Sequence, residues 1–164
     1  MRVLQTVALT TSTLAAGLMA GLFAAFAYAV MPGLARSGDH AFVQVMQNIN
    51  RAIINGWFLL PFLLPLPLLL LAAFLAGDGP NAGAVRFWVI AALVLYVAAF
   101  LVTGTQNVPL NEALDKVAAL ASDRDGLAAA RAAFEEAWVR WNTVRALLHA
   151  MAFGCTAWAL HLHG

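Results

Sequence analysis

Three stretches of this chain carry polar side chains in or beside apolar sequence: Gln47, Asn48, Arg51 and Asn55; Thr103, Gln106, Asn107 and Asn111; and Trp138, Trp141, Asn142, Arg145 and His149. In the first and third sets the steps are mostly three and four residues, so the side chains share one helix face. Carboxamides at the mouth of a membrane helix cost free energy unless they find partners. The three stretches are therefore expected to meet and form a site. Amides would donate and accept hydrogen bonds there, and Arg51 and Arg145 would supply positive charge. His149 lies one helical turn beyond Arg145 among the apolar Leu148, Met151 and Phe153, and its imidazole could accept a proton.

The elements that must position these residues are membrane helices. Of 164 residues, 63% are hydrophobic and 10% charged, and the mean hydropathy is +0.82. Those values lie far above the apolar share of a soluble domain. The length fits one integral membrane domain covering residues 1–164. Four spans are expected, at about 7–30, 52–76, 87–106 and 146–162, each near the roughly 20 residues a bilayer requires. The first could be mistaken for a signal peptide, with Arg2 ahead and Ala27-Tyr28-Ala29 behind, but it exceeds the roughly 7–15 residues of such a core. The fold class is thus all-α, a four-transmembrane-helix bundle with helical extensions on one side.

Punctuation refines the picture. Met31-Pro32-Gly33 is expected to end the first helix and Pro109 the third. A helix from His40 is expected to carry the first polar stripe straight into the second span, which contains Pro61, Pro65 and Pro67. Short connections are expected at Gly77–Asn81 and Asp123–Gly126, and Trp88 as an interfacial anchor. Asn48-x-x-Arg51-Ala52-Ile53-Ile54-Asn55 lines up with Asn142-x-x-Arg145-Ala146-Leu147-Leu148-His149, each after a proline-ended span. Two similar hairpins related by an axis along the membrane normal would give that pattern. Four spans put both termini on one side, and the stripe end holds Arg36, Arg51, Lys116, Arg124, Arg131, Arg140 and Arg145 against only Arg2 and Arg86 elsewhere. The positive-inside rule makes the stripe end cytoplasmic, in a bacterial inner membrane.

Several classes fall away. A net charge of +1 gives no case for nucleic acid, and the lone Cys155 allows neither an intramolecular disulfide nor a thiolate cluster. Haem would need axial ligands from facing helices, and only His149 is placed for that, since His40, His161 and His163 lie near ends. His161-x-His163 is a weak copper or zinc pair. No metal site and no cofactor is expected.

Gly21-Leu22-Phe23, Tyr28-Ala29-Val30-Met31-Pro32-Gly33-Leu34, Met46-Gln47-x-Ile49-Asn50-Arg51, Asn107-Val108-Pro109-Leu110-Asn111 and Trp141-Asn142-x-x-Arg145 together resemble the anthrone oxygenase-like family of small integral membrane proteins. The resemblance runs from about Gly17 to His149 and implies four membrane helices. It also implies an activity: the family is named for members that oxidise an anthrone to an anthraquinone without metal or flavin. Such a reaction needs an apolar pocket, a base and donors for an enolate oxygen. On that reading the catalytic residues are His149 as base, Asn107 and Asn142 as donors and Arg145 as the charge. Gln47, Arg51, Asn55, Thr103, Gln106, Asn111, Trp138 and Trp141 would bind the hydrophobic substrate, the tryptophans by stacking on a flat ring.

A structural reading stands beside each of these. Amides in spans tie helices together at about 0.6 kcal/mol each, end arginines snorkel, and end tryptophans anchor. The rival class is a non-catalytic membrane protein that binds a small molecule or lipid or serves as a subunit. Gly17, Gly21, Ala25 and Ala29 would then offer a homo-oligomer face.

Overall fold

The computed structural model describes residues 2–77, 81–117 and 124–164. Among these every regular element is helical. The chain runs through α1 (Arg2–Ala25), a π-helical turn (Phe26–Val30), α2 (Met31–Leu34), α3 (Asp39–Ala52), α4 (Gly56–Leu63), α5 (Pro65–Phe74), α6 (Ala82–Val102), a second π-helical turn (Thr103–Asn107), α7 (Val108–Val117) and α8 (Arg124–His163). Three continuous helices are long and apolar enough to cross a membrane: Arg2–Leu34, Gly56–Phe74 and Ala82–Val117. The C-terminal half of α8 packs with them. It lies against α1 and α6, while α5 lies between the other faces of α1 and α6, so the four rods close a ring. Arg2 and Thr6 hydrogen-bond to His163, which brings the two termini to one end.

One expectation about prolines is corrected. Pro109 does not end its helix, which runs on to Val117, whereas the first helix ends at Leu34, one residue past Met31-Pro32-Gly33. A proline removes one N–H and its ring crowds the carbonyl four residues back. In both places the chain absorbs this by widening: Met31 N–H donates to the Phe26 carbonyl and Val108 N–H to the Thr103 carbonyl, five residues back instead of four. The helix then resumes. The matching position of the two turns, each directly ahead of an X-Pro pair, fits two related hairpins.

A second correction concerns the first stripe. The helix carrying it stops at Ala52, and a new one begins at Gly56. Asn55 makes the break, because its side-chain oxygen accepts from the N–H groups of Trp57 (2.9 Å) and Phe58 (3.2 Å) and so caps α4. Among the described residues there are therefore five continuous helical runs rather than four. The expected turn at Asp123–Gly126 is also corrected, since α8 already begins at Arg124; Asp123 lies outside the described residues. So do Asp78, Gly79 and Pro80 of the loop expected at Gly77–Asn81.

One carbonyl freed by a proline in the second span finds a donor on α6. Pro65 cannot serve the Pro61 carbonyl, and the Tyr96 hydroxyl of α6 reaches it at 3.1 Å and the Phe62 carbonyl at 3.0 Å. Small residues allow close approach on α1: a side chain at Gly17 would meet the Phe153 ring of α8 at 3.1 Å, whereas Gly21 faces open space.

Outside the apolar ring, α3, α7 and the N-terminal half of α8 form a second core of Phe26, Met31, Phe42, Val43, Met46, Leu114, Phe134 and Trp138. Arg131 fastens it. Its guanidinium donates to the carbonyls of Ala35 and Ser37, pairs with Asp39 (3.0 Å) and Glu135 (2.7 Å), and lies over the Phe42 ring. Glu135 and then Asp39 hold this cation above its ordinary pKa, although burial opposes them.

The Tyr96 bridge gives a test. Tyr96→Phe is expected to lower stability by about 1 kcal/mol, read as thermal unfolding in detergent. An unchanged melting temperature would show that the hydroxyl is not needed to satisfy the proline-broken helix.

Candidate functional site

The second core and the apolar ring meet around a cavity of about 360 Å³ at the stripe end. Its walls come from the π-turn region of α1, the end of α3, the start of α4, the second π turn, α7 and α8. Phe23, Phe26, Ile49, Ile53, Ile54, Phe58, Val108 and Trp138 make it apolar, and Asn50, Arg51, Thr103, Asn111, Glu112, Asp115, Lys116 and Arg145 add polar groups.

The deepest charge is Arg145, only 6% exposed. Its Nε donates to Asn142 Oδ1 at 3.1 Å, and its guanidinium carbon lies 4.1 Å from the Phe23 ring centroid and 5.3 Å from that of Trp138. Among the described residues no carboxylate forms an ion pair with it. Asn142 is fully buried, and its Nδ2 donates to the Phe23 carbonyl at 3.0 Å. One amide thus joins α8 to α1 and aims the arginine. Asn107, also fully buried, donates to the Trp138 carbonyl at 3.3 Å, while its Oδ1 has no partner among the described residues. Asn111 Oδ1 accepts from the Trp138 indole N–H at 2.8 Å. The second π turn and α7 therefore grip Trp138 by backbone and ring, and that ring forms a cavity wall.

The expected convergence divides into layers. Arg51, Thr103, Asn111, Trp138 and Arg145 line the cavity. Asn107 and Asn142 lie behind it and hold Trp138, Phe23 and Arg145. Arg51 is at the rim, paired with Asp115 at 2.6 Å and well exposed. Thr103 returns its hydroxyl to the Ala99 carbonyl. Four residues expected to bind substrate lie off the cavity. Gln47 ties α3 to α7 by donating to the Leu114 carbonyl at 2.8 Å, Asn55 caps α4, Gln106 reaches only its neighbour Thr105, and Trp141 lies beside Arg140.

His149 is fully buried but does not line the cavity. It is enclosed by rings: stacked on Phe23 (5.1 Å between centroids), edge-on to Tyr96 (4.7 Å) and tilted to Phe62 (6.3 Å). Neither ring nitrogen has a hydrogen-bond partner among the described residues. Phe23 is the side chain that touches both the imidazole and the cavity. His161 and His163 are at the other end of α8, and among the described residues no three His, Cys, Asp or Glu side chains gather at metal-binding range.

Sequence reasoning missed Phe23 and Phe58 as cavity walls, Asn50 as a lining amide, and Asp115 as the partner of Arg51. Asn50 was adjacent to the stripe, and its Nδ2 is buried without a partner. The Asp115 carboxylate lies 64 residues along the chain from Arg51, and no local period connects them.

The Asn142 knot predicts a ranking. Asn142→Leu removes a bond to the Phe23 carbonyl and the only oxygen holding Arg145 Nε, so stability should fall by about 2–3 kcal/mol. Gln106→Leu should stay within about 0.5 kcal/mol of the parent. Thermal unfolding of both variants in the same detergent checks this, and equal losses would contradict it.

Comparison with known proteins bears on the same region. A family model described as anthrone oxygenase matches residues 51–155, a span that contains Arg51, Asn107, Asn142, Arg145 and His149. No curated protein and no solved structure matches the chain. With most of its length inside that match, the protein belongs to the anthrone oxygenase family.

Proposed function

We propose that the protein is a membrane-embedded, cofactor-independent oxygenase acting on a hydrophobic, anthrone-like aromatic substrate held in the stripe-end cavity. The observation that carries this reading is a buried guanidinium, without an acid of its own among the described residues, set in a wall of aromatic rings. A flat aromatic ketone fits such walls by stacking on Trp138 and Phe58. Loss of a proton from the carbon opposite the carbonyl places charge on the ketone oxygen, and Arg145 stabilises that charge in a site of low dielectric. The enolate is then oxidised by dioxygen. The ring CH₂ loses two hydrogens and gains one oxygen, and the second oxygen atom leaves as water. Four electrons leave the carbon and four enter O₂.

The remaining residues support Arg145. Asn142 fixes its direction, Asn107 and Asn111 fix Trp138, and Arg51 with Asp115 guards the rim. His149 is the candidate base, and that role requires the Phe23 ring to turn aside, because Phe23 separates the imidazole from the cavity. A specific observation favours a second reading, a binder without turnover: the buried polar groups of the wall include Arg145 and the Asn50 amide nitrogen, while the acids that line the cavity, Glu112 and Asp115, are on its exposed side.

Oxygen uptake in nanodiscs with anthrones and hydroquinones separates the two. The oxygenase reading predicts uptake that Arg145→Gln lowers about 100-fold in kcat/KM, and that a well-folded His149→Gln protein loses by at least as much. Full specific activity in His149→Gln would remove the imidazole from the mechanism. No uptake by the parent protein, with ligand binding retained, would leave the binder.

The same proposal includes the topology. The C-terminal half of α8 is a fourth span, the stripe end faces the cytoplasm of a bacterial inner membrane, and the open face at Gly21 is available to a second copy. The contacts of Arg2 and Thr6 with His163 support the fourth span. Cysteines placed at residues 3 and 164 should label from the same side of sealed vesicles. Labelling from opposite sides would reduce the spans to three.

A further inference from the structure

We infer that the ligand of the stripe-end cavity is an aromatic acid, a flat apolar ring system bearing a carboxylate that binds Arg145. The inference rests on the proposal that this cavity is the ligand site, and it differs from that proposal in the oxygen that Arg145 meets, a carboxylate of the ligand in place of its ketone.

The charges that line the cavity are unbalanced. Three cations and two acids line the cavity: Arg51, Lys116 and Arg145 against Glu112 and Asp115. Arg51 and Asp115 neutralise each other at 2.6 Å. Lys116 and Glu112 lie four residues apart on the exposed side of α7, in reach of water. Arg145 alone is buried, and its partners are one amide oxygen and the faces of Phe23 and Trp138. Cation–π contact compensates a desolvated guanidinium only in part, and a buried charge without a counter-charge is costly.

The geometry matches an incoming carboxylate. Asn142 takes the Nε donor, and the terminal nitrogens have no acceptor among the described residues. A guanidinium presents them as a planar fork suited to two carboxylate oxygens. On the same cavity Asn50 Nδ2 is a second buried donor without a partner. Both unmet groups are donors, and an acceptor-only group meets both. The rest of the wall is apolar or aromatic, and 360 Å³ suits a ring system of a few fused rings rather than a whole lipid. Glu112 and Asp115 at the rim would repel an anion on approach, but Lys116 and Arg51 are beside them.

The test uses unreactive ligands, so it does not depend on turnover. Binding of anthraquinone-2-carboxylate and of anthraquinone-2-carboxamide to the full chain in nanodiscs of neutral lipid is measured by calorimetry. The carboxylate should bind at least about tenfold more tightly, as a charge-assisted pair implies. Arg145→Met should bring the two ligands to equal affinity, and Asn50→Leu should weaken the carboxylate more than the carboxamide. Equal binding of both ligands to the parent protein overturns the inference while leaving the cavity as the site. A carboxylate preference that survives Arg145→Met also overturns it. If neither ligand binds, both the inference and the proposed site fall. The parent comparison needs no substitution, so the result stands even if Arg145→Met does not fold. Loss of the preference when anionic lipid is added would assign Arg145 to a lipid headgroup and would likewise overturn the aromatic acid.

Discussion

The site depends on one carboxamide. Asn142 is buried between α1 and α8, where its nitrogen holds the Phe23 carbonyl and its oxygen holds Arg145 Nε. An amide has only these two ends, and both are used on partners that define the cavity. Rotation of Asn142 would free Phe23 from α8 and release the arginine. In an apolar interior that loss cannot be replaced by water. The same logic extends outward. Asn107 and Asn111 hold Trp138, Gln47 holds the end of α7, and Arg131 holds the loop that leads into α3. The polar stripes are a frame for two aromatic walls and one cation.

Prolines create the geometry of that frame. A straight α-helix through Pro32 or Pro109 would leave a clash and a missing donor. Widening to a π turn removes the clash and advances the helix face by one residue. In the second hairpin this puts Asn107 against Trp138 while Thr103 faces the cavity. In the first, Phe26 takes the Thr103-like position, next to Trp138 at 5.7 Å between centroids. The two π turns stand at matching places ahead of a proline and differ in what they present, a Phe26 ring in the first and the Asn107 amide in the second. The second span solves a related problem differently, borrowing the Tyr96 hydroxyl for the Pro61 carbonyl that Pro65 leaves without a donor.

Much of this was legible in the sequence, for physical reasons that can be traced. Apolar length gave the membrane helices. The three- and four-residue spacing of Asn142, Arg145 and His149 put them on one buried face, where all three are found. Asn55 broke the same reasoning. It kept the period but turned its side chain back on its own backbone, as Asn before Gly often does at a helix start. Pro109 was read as a stop because sequence alone does not reveal whether a helix ends or widens. His149 was placed at the right depth. Its separation from the cavity was not visible, because that depends on Phe23 of another helix. Partnerships across the chain, Arg51 with Asp115 and Tyr96 with His149, have no local signature at all.

The central claim is that Arg145, held by Asn142 between aromatic walls, faces a ligand. A density map of the protein in nanodiscs with a bound anthraquinone tests it most directly. The account predicts planar density between Phe23, Phe58 and Trp138, with a polar edge within hydrogen-bond distance of the Arg145 guanidinium. Density at any other place, or an Arg145 turned out of the cavity onto a carboxylate of its own chain, would contradict it.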